Sequence, residues 1–402
     1  RAGETSACGS AIRRDWTAPS TADALTRLDR AGAVTLGRLA MSEFAVGPIG
    51  LNAHNGPTRN PWNPAHVSGG SSSGPAAAVA ARTAFGALGS DTGASIRVPS
   101  AACGVVGLKP SPGLISTAGS MPLSSSLDVV GPIARRVGDV ALLTAVLARP
   151  VDPDLASPAH PAFLDAAFAP VEPPRGLRLG VPRGFFRDGL APDVSERFEA
   201  AAAAFRDLGV TLVDVDDAAF AEAGPLYGAI LGAEAASTHA RLLRAEADAY
   251  SPQVRARLLA GLGVEPAAYA AALARRAPLL VAALSDVFAR ADLLLAPVLR
   301  DPVPTIAEVD VGDGPRMAEV VAGFLRLTNP MNVLGLPALS LPAGFTSNGL
   351  PCGVQLVGPP MSDILLLKTG RAYERAVGWT SLQPTAPAPA PAAPPHESLV
   401  SR

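Results

Sequence analysis

Short apolar segments alternate with amphipathic segments along most of this 402-residue chain, and this alternation restricts its fold more than any other feature. Apolar runs bounded by Gly and Pro are typical of buried strands. They recur at Cys103–Leu108, Leu177–Val181, Val210–Val215, Leu293–Pro297, Ala338–Leu341 and Val354–Val357. Helical periodicity between them predicts helices at Arg136–Leu147, Glu196–Leu208, Ala233–Ala249 and Pro266–Arg290. The alternation predicts a layered α/β domain with a buried sheet.

Two further helices are predicted in the first hundred residues. Near the amino end, Ser20 or Thr21 is the expected N-cap of a helix that Gly32 ends, followed by a short strand at Ala33–Leu36. The segment Pro75–Leu88 is rich in small residues and is predicted as a helix that packs closely against its neighbours.

The composition is that of a rather apolar globular protein, with 48% hydrophobic and 17% charged residues. A net charge of -2 provides no electrostatic basis for binding nucleic acid. There is no uninterrupted apolar run long enough to span a membrane and no signal-peptide pattern, so we expect a soluble, cytoplasmic protein. The three cysteines, Cys8, Cys103 and Cys352, lack the spacing of a disulfide framework or a zinc site.

The predicted domain organisation is a single large domain at residues 1–380. The Pro-, Ala- and Asp-rich stretch Asp152–Pro174 is interpreted as a surface connection within it. Residues 381–402 are almost purely Pro and Ala over much of their length, and we expect this tail to be disordered.

Two serine clusters flank the predicted small-residue helix. The first is Gly69–Gly74, with the sequence Gly-Gly-Ser-Ser-Ser-Gly, and the second is Gly89–Pro99, with the pattern Gly-x-Asp-x-Gly-x-Ser-Ile-Arg-x-Pro. Gly-rich turns allow backbone N–H groups to converge on one point, as stabilisation of an oxyanion requires. The pair of clusters therefore indicates an acyl-transfer site with a serine nucleophile.

This pair of motifs resembles the signature of the amidase signature family of amide hydrolases. Other segments are also similar to the family, and together they cover roughly residues 1–380: Ala31–Val34, Met41–Phe44, Asn60–Trp62, Gly107–Pro110, Ser126–Asp128 with Gly131-Pro132, Asn332–Pro337 and Gly349–Gln355. The resemblance implies an α/β/α sandwich with a mixed central sheet.

The resemblance also implies residue roles. Ser95 matches the nucleophile of the family, and Ser71 matches the bridging serine that follows a cis peptide bond. The turn formed by Thr92, Gly93, Ala94 and Ser95 matches the oxyanion hole, although Ala94 stands where the family commonly has a second glycine. Asp91 and Arg97 are expected to hold this turn together rather than to react.

One element of the family mechanism has no counterpart in the sequence. A serine hydroxyl needs a base, and in the family a neutral lysine deprotonates the bridging serine. By resemblance that lysine falls a few residues before Arg1, so we expect the amidase domain to lack its amino-terminal segment. The two lysines present, Lys109 and Lys368, lie in other segments. Arg38 replaces a lysine that is common in the family, which preserves the charge.

The first serine cluster also fits a different class of hydrolase. The pattern Gly70-x-Ser72-x-Gly74 matches the nucleophile elbow of α/β-hydrolases, which requires a later histidine base, and the candidates are His160, His239 and His396. His54 and His66 are expected to make structural hydrogen bonds, and Cys103 is expected to be a buried small hydrophobe. No motif indicates a metal or nucleotide cofactor.

The sequence therefore predicts an amidohydrolase that cleaves a small carboxamide through a serine acyl-enzyme intermediate. One alternative is the glutaminase-type A subunit of a tRNA-dependent amidotransferase, which works with partner subunits. Another is an inactive homologue without its base. We expect no direct contact with nucleic acid or membrane. The sequence leaves open whether the protein forms a homodimer. The walls of the substrate site are expected at Met121–Ser126, Tyr227–Glu234 and Phe324–Asn329.

Overall fold

A computed structural model describes residues 1–148, 160–170, 172 and 175–385. The predicted disordered tail therefore lies mostly outside the described residues, as do residues 152–159 of the predicted surface connection at Asp152–Pro174. The described part of that connection instead forms a helix, Pro161–Phe168, because Phe163, Ala166 and Ala167 are buried against the core. The strands are β1 Gly86–Asp91, β2 Val106–Lys109, β3 Val129–Ala134, β4 Arg178–Pro182, β5 Thr211–Val215, β6 Leu293–Pro297, β7 Ala338–Phe345 and β8 Pro351–Val357. The helices of the first half are α1 Asp23–Arg30, α2 Ser73–Ala80, α3 Arg97–Cys103, α4 Val137–Leu147, α5 Pro161–Phe168 and α6 Pro192–Asp207. Those of the second half are α7 Ala218–Glu246, α8 Pro252–Leu262, α9 Pro266–Ala283, α10 Ile306–Val309, α11 Pro315–Leu325, α12 Asn329–Leu334 and α13 Asp363–Val377.

The eight strands form one mixed sheet in the order β1-β3-β2-β7-β8-β6-β4-β5. The β6, β4 and β5 strands are parallel to one another, and the remaining neighbours pair antiparallel. Successive side chains of a strand point to opposite faces. In β6, Leu294 and Ala296 accordingly belong to one hydrophobic cluster, and Leu293 and Leu295 belong to another. The predicted α/β sandwich with a mixed central sheet is confirmed.

The prediction of one helix over Pro75–Leu88 is wrong. Helix α2 ends at Ala80, Arg82 adopts a positive φ of 62°, and the chain then enters β1 at Gly86. β1 and β3 were not predicted, because glycine and proline interrupt the apolar pattern of these strands. In β3 the glycine is required, since a Cβ on Gly131 would lie 2.1 Å from the carbonyl oxygen of Leu108 on the neighbouring strand.

The amino-terminal prediction is wrong in two details. Ala22, not Ser20 or Thr21, is the N-cap residue of α1, and the Thr21 hydroxyl instead accepts a hydrogen bond from the Ala2 N–H. Residues 33–36 form no strand and are exposed. The physical reason is that a strand requires a paired neighbour, and no described strand lies against this segment.

The helix predicted to begin at Ala233 begins fifteen residues earlier and continues through Pro225, so that α7 spans 29 residues. Helix α9 continues through a π-helical turn to Phe288, and Pro266–Phe288 is long and apolar enough to cross a membrane by length and composition alone. In the structure this helix packs along α7 and contributes Leu279, Ala283 and Val287 to the hydrophobic core.

Candidate active site

The two serine clusters meet where β1 ends. The Ser72 N–H donates a hydrogen bond of 3.2 Å to the carbonyl oxygen of Ser95, which joins the two loops directly. On the other side, the Ser42 N–H donates to the carbonyl oxygen of Ser71 at 3.1 Å. The Gly70-Ser71 peptide bond is cis, as the family resemblance implies. Backbone contacts therefore fix the positions of both candidate serines.

In the described part of the chain, the hydroxyl groups of both candidate serines have no hydrogen-bond partner. Ser71 is 1% exposed, and its Oγ is buried with no hydrogen bond among the described residues. Ser95 is 7% exposed, and its Oγ forms no hydrogen bond within the same part of the chain. Buried hydroxyls in folded proteins are usually hydrogen-bonded, so an orphaned one in a glycine-rich loop marks a position suited to reaction.

The turn between β1 and α3 presents a run of free backbone donors. Within the described chain, none of the N–H groups of Thr92, Gly93, Ala94 and Ser95 donates to a protein acceptor. The next N–H group, that of Ile96, is already bonded to the Asp91 carboxylate at 3.0 Å. Successive free N–H groups in a turn form a concavity that binds anions. This geometry suits a developing oxyanion beside Ser95.

Tyr227 of α7 covers this turn and explains its central glycine. A Cβ on Gly93 would lie 2.5 Å from the Tyr227 hydroxyl and 2.6 Å from its Cζ. Only a glycine leaves room for the tyrosine ring. The ring is buried, and burial raises the pKa of the Tyr227 hydroxyl above its ordinary value.

A buried ion pair holds the turn from behind. Asp91 and Arg97 are fully buried and form two side-chain hydrogen bonds, from Arg97 Nε at 3.1 Å and from Nη2 at 3.0 Å. Burial raises the pKa of Asp91, but the charge and hydrogen bonds of Arg97 outweigh it and hold that pKa below its ordinary value. Arg97 Nη2 also donates to the Gly93 carbonyl oxygen at 3.2 Å. Asp91 and Arg97 thus shape the turn.

Sequence reasoning missed the residues that complete this ion pair. Asn332 donates to the Asp91 carboxylate at 3.0 Å and accepts from Arg97 at 2.6 Å. Gln355 accepts from Arg97 at 3.2 Å. Both lie in segments that resemble the family, but nothing in the sequence pairs them with residues more than 200 positions away.

The segments predicted as substrate walls lie close to this turn. Thr92 donates a 2.6 Å hydrogen bond to Asp128, which also accepts from the N–H groups of Leu123 and Ser124. Burial raises the pKa of Asp128. Glu234 accepts from the Ser124 hydroxyl and thereby ties α7 to the same loop. In the third segment, the Thr328 carbonyl oxygen accepts from Arg97 at 2.7 Å.

Neither lysine of the chain contacts the candidate serines. Lys109 is fully buried in β2, donates to the Pro110 carbonyl oxygen at 3.1 Å, and has its pKa lowered by burial to about 7. Lys368 lies on α13 and pairs with Asp165 at 2.6 Å. Neither side chain is therefore placed to accept a proton from Ser71.

The nucleophile-elbow alternative fails on geometry. The Ser72 hydroxyl is occupied by the backbone of Ser90 in β1, through bonds of 3.3 and 3.2 Å. His239 lies against Tyr250 in a separate cluster, and burial lowers its pKa to about 4. His160 lies at the start of α5, and His396 is outside the described residues.

The remaining structural expectations hold. His54 pairs with Glu43 at 2.8 Å, His66 bonds to the Val303 carbonyl oxygen at 2.9 Å, and Cys103 is fully buried. Arg38 forms an exposed ion pair with Glu4 at 2.6 Å.

A cation that sequence analysis did not identify lies beside the site. Arg257 of α8 is half-buried, and its Nη1 lies 3.7 Å from the position of a Cβ on Gly47. The Gly47 carbonyl oxygen borders Gly70, and the charge of Arg257 acts on Tyr227. Burial lowers the pKa of its guanidinium. In the described parts of the chain no carboxylate pairs with Arg257, and no sequence signal distinguished it from the other arginines.

This fold, with two serine loops meeting at the end of an edge strand, is that of the amidase class of C–N hydrolases. The Amidase family model matches residues 2–367, and the chain belongs to the amidase signature family. The A subunit of glutamyl-tRNA(Gln) amidotransferase from Thermosynechococcus vestitus is 36% identical over 95% of this chain and 83% of its own length.

Two solved structures show the same fold over nearly the whole chain. The A subunit of glutamyl-tRNA(Gln) amidotransferase from Thermotoga maritima is 30% identical with a TM-score of 0.81, covering 96% of this chain and 84% of its own. The 6-aminohexanoate cyclic dimer hydrolase is 29% identical with a TM-score of 0.85, over the same shares. The family is thus established, and it includes both amidotransferase subunits and hydrolases.

Proposed function

We propose that this protein hydrolyses a small carboxamide through an acyl-enzyme intermediate on Ser95. The Ser95 Oγ attacks the amide carbon, and its proton passes to Ser71. The negative charge that develops on the carbonyl oxygen is stabilised by the free N–H groups of the turn at residues 92–95. One such donor is worth about 2.7–4 kcal/mol of activation free energy. The observation that carries the proposal is this run of donors beside an unbonded Ser95 hydroxyl.

The second half of the reaction reverses the proton path. As the tetrahedral intermediate collapses, the C–N bond breaks, and the departing ammonia or amine takes a proton back through Ser71. Water then attacks the Ser95 ester and releases the carboxylic acid, which returns the Ser95 hydroxyl to its starting state.

The mechanism requires a base for Ser71. The buried Ser71 Oγ has no hydrogen-bond partner among the described residues. A base that receives its proton would lie beside this atom. We propose that residues 1–380 form an amidase domain that is completed by an amino-terminal segment carrying the lysine that the family resemblance implies.

The substrate is proposed to carry a carboxylate. A guanidinium held near the two serine loops without a carboxylate partner favours a ligand that supplies one. Arg257 therefore favours an acyl group with a carboxylate, such as that of glutamine, over a purely aliphatic amide.

A second candidate is the glutaminase-type subunit of a tRNA-dependent amidotransferase. The names of the relatives favour it, and an α-carboxylate on Arg257 suits glutamine. In that case ammonia is delivered to a partner subunit rather than released. We also propose a cytoplasmic location, since the three cysteines are unpaired, as in a reducing compartment.

The experiment that tests the proposal is a product assay on the protein expressed from its full reading frame. Glutamine, succinamate and hexanamide are supplied separately, and ammonia and the acid are quantified. We expect equimolar ammonia and acid from at least one amide, and none from the Ser95→Ala variant. Turnover of glutamine only in the presence of co-purified subunits would favour the second candidate. An equal rate in the Ser95→Ala variant would overturn both.

A further inference from the structure

A cavity lies between α7 and α11, apart from the serine loops. Its volume is about 860 Å³, a size that accommodates small ligands. None of the residues that line it belongs to the loops around Ser71 and Ser95, but Arg326 and Asn329 belong to the segment Phe324–Asn329 that was predicted as a substrate wall. The loop Gly184–Asp188 forms one side, and Asn329 lies at its inner wall.

Small side chains create this space. The facing surfaces of the two helices consist of Ala218, Ala221 and Gly224 on α7 and of Ala322 and Gly323 on α11. A Cβ on Gly323 would meet nothing within 4 Å, so the opening is not a by-product of tight helix packing. The walls are therefore mainly apolar, with room for a short aliphatic group.

Two polar side chains that lack partners line the cavity. Arg326 lies over the Phe185 ring at 5.0 Å, and its Nε is buried without a hydrogen bond among the described residues. Asn329 is 9% exposed, and its buried Oδ1 likewise has no partner in that part of the chain. Buried polar groups without partners are costly, so both groups are suited to a ligand that satisfies them.

The rim of the cavity carries negative charge, opposite to that of Arg326. Asp188 is exposed and forms no ion pair within the described residues. The other acidic groups at the cavity are engaged: Asp216 accepts from the Ala218 N–H, Asp217 accepts from the N–H groups of Phe185 and Phe186, and Glu319 pairs with Arg316. Arg300 pairs with Asp301. Among the described residues, the cavity therefore has one cation without an ion-pair partner inside it, Arg326, and one such carboxylate at its mouth, Asp188.

We propose that this cavity binds a small zwitterion of the α-amino-acid type. The ligand carboxylate pairs with Arg326, its ammonium group faces Asp188, and its side chain lies along the alanine-lined walls. Asn329 hydrogen-bonds to the polar end of the ligand. Since the acidic groups at the rim repel a phosphate dianion more strongly than a molecule without net charge, a zwitterion fits better than a phosphorylated ligand.

Isothermal titration calorimetry on the full-length protein tests this site with matched probes. The probes are L-leucine, 4-methylpentanoate, which lacks its ammonium group, and isoamylamine, which lacks its carboxylate. We expect L-leucine to bind at least about tenfold more tightly than either analogue, because each analogue leaves one charged group of the protein unpaired. Binding of inorganic phosphate in place of L-leucine would overturn the proposal.

Variants locate the binding. Arg326→Met is expected to weaken binding of L-leucine about tenfold or more. Arg206→Met is the matched control, since Arg206, like Arg326, lies near the C-terminal end of a helix but is exposed and outside the cavity. Arg257→Met and Ser95→Ala are expected to leave the affinity unchanged, which separates this site from the catalytic one. Equal affinity in Arg326→Met and the unmodified protein, or no binding of L-leucine at all, would overturn the proposal.

Discussion

The backbone N–H of Ser72 donates a 3.2 Å hydrogen bond to the carbonyl oxygen of Ser95, and this bond joins the two serine loops. Because the bond is between backbone groups, removing the Ser71 or Ser95 hydroxyl leaves the connection between the loops intact. Variants at these positions can therefore report on chemistry rather than on folding.

Ser71→Ala is expected to lower kcat by about 10²–10⁴-fold, the usual contribution of a proton-transfer group. The stability should be nearly unchanged, since the Ser71 Oγ has no hydrogen bond to lose in the described chain. Steady-state kinetics together with urea unfolding measure the two effects. Ser73→Ala, in the same serine cluster but at the start of α2, is the control and should retain kcat. A Ser71→Ala enzyme with unchanged kcat would exclude the relay.

Gly93→Ala is expected to destabilise the protein by about 1–3 kcal/mol, as overpacking of a core does. Its Cβ would lie 2.5 Å from the Tyr227 hydroxyl, so either the ring or the donor turn must move. Activity should fall with stability. Gly228→Ala on the same helix as Tyr227 meets nothing within 4 Å and should be neutral or stabilising by up to about 1 kcal/mol. Equal stabilities of the two variants would contradict this packing.

Asp91→Asn is expected to cost about 3–5 kcal/mol, since it leaves the buried charge of Arg97 without its carboxylate. The double variant Asp91→Asn/Arg97→Met should recover part of this loss. The pKa of Asp91 is lowered in the folded protein, so its contribution to stability is present above the unfolded pKa and is lost as pH falls through the folded pKa. Urea titrations from pH 7 to 3 should find less acid sensitivity in Asp91→Asn than in the unmodified protein.

Lys109 predicts a pH dependence of the same sign in a higher pH window. Its folded pKa of about 7 lies below the unfolded value near 10.4, so the unfolded chain binds more protons between these pH values. Stability attributable to Lys109 should therefore rise with pH across this window, by at most about 1.4 kcal/mol per pH unit. The difference in unfolding free energy between the unmodified protein and Lys109→Met measures it. Lys368→Met removes the other lysine of the chain, whose side chain is partly exposed, and is the control for the loss of one positive charge. A parallel pH profile for Lys109→Met would contradict the burial of a titrating lysine.

Arg257→Met is expected to raise KM for a carboxylate-bearing amide such as glutamine or succinamate by about 10–100-fold, the loss of one charge-assisted hydrogen bond. The kcat/KM for hexanamide, which has no carboxylate, should change little. Comparing the two substrates in one variant separates loss of recognition from loss of folding. An equal effect on both substrates would assign Arg257 a structural role.

Much of the fold was predictable because its strands are continuous apolar runs. β6, predicted at Leu293–Pro297, has those same bounds in the structure. β1 and β3 were not predicted, since their glycines and Pro132 serve close packing against neighbours and suppress the usual strand pattern. Propensity along the chain cannot reveal a glycine that a neighbouring carbonyl group requires.

The candidate site was predictable to the extent that its residues are neighbours in sequence. Ser95, Gly93, Asp91 and Arg97 lie within one short motif, and the structure brings Ser71 to them. Asn332, Gln355 and Arg257 approach the same place only through the order of strands and the packing of α8. Their long sequence separations explain why no spacing argument identified them.

The most direct test of the account is covalent labelling of the protein, expressed from its full reading frame, with a fluorophosphonate that reacts with activated serines. The labelled protein is digested and the modified residue is identified by mass spectrometry, with Ser95→Ala as the control. The account predicts one stoichiometric adduct on Ser95 and no adduct in the Ser95→Ala variant. Absence of labelling, or an adduct on Ser72 or another serine, would contradict the assignment of Ser95 as the nucleophile.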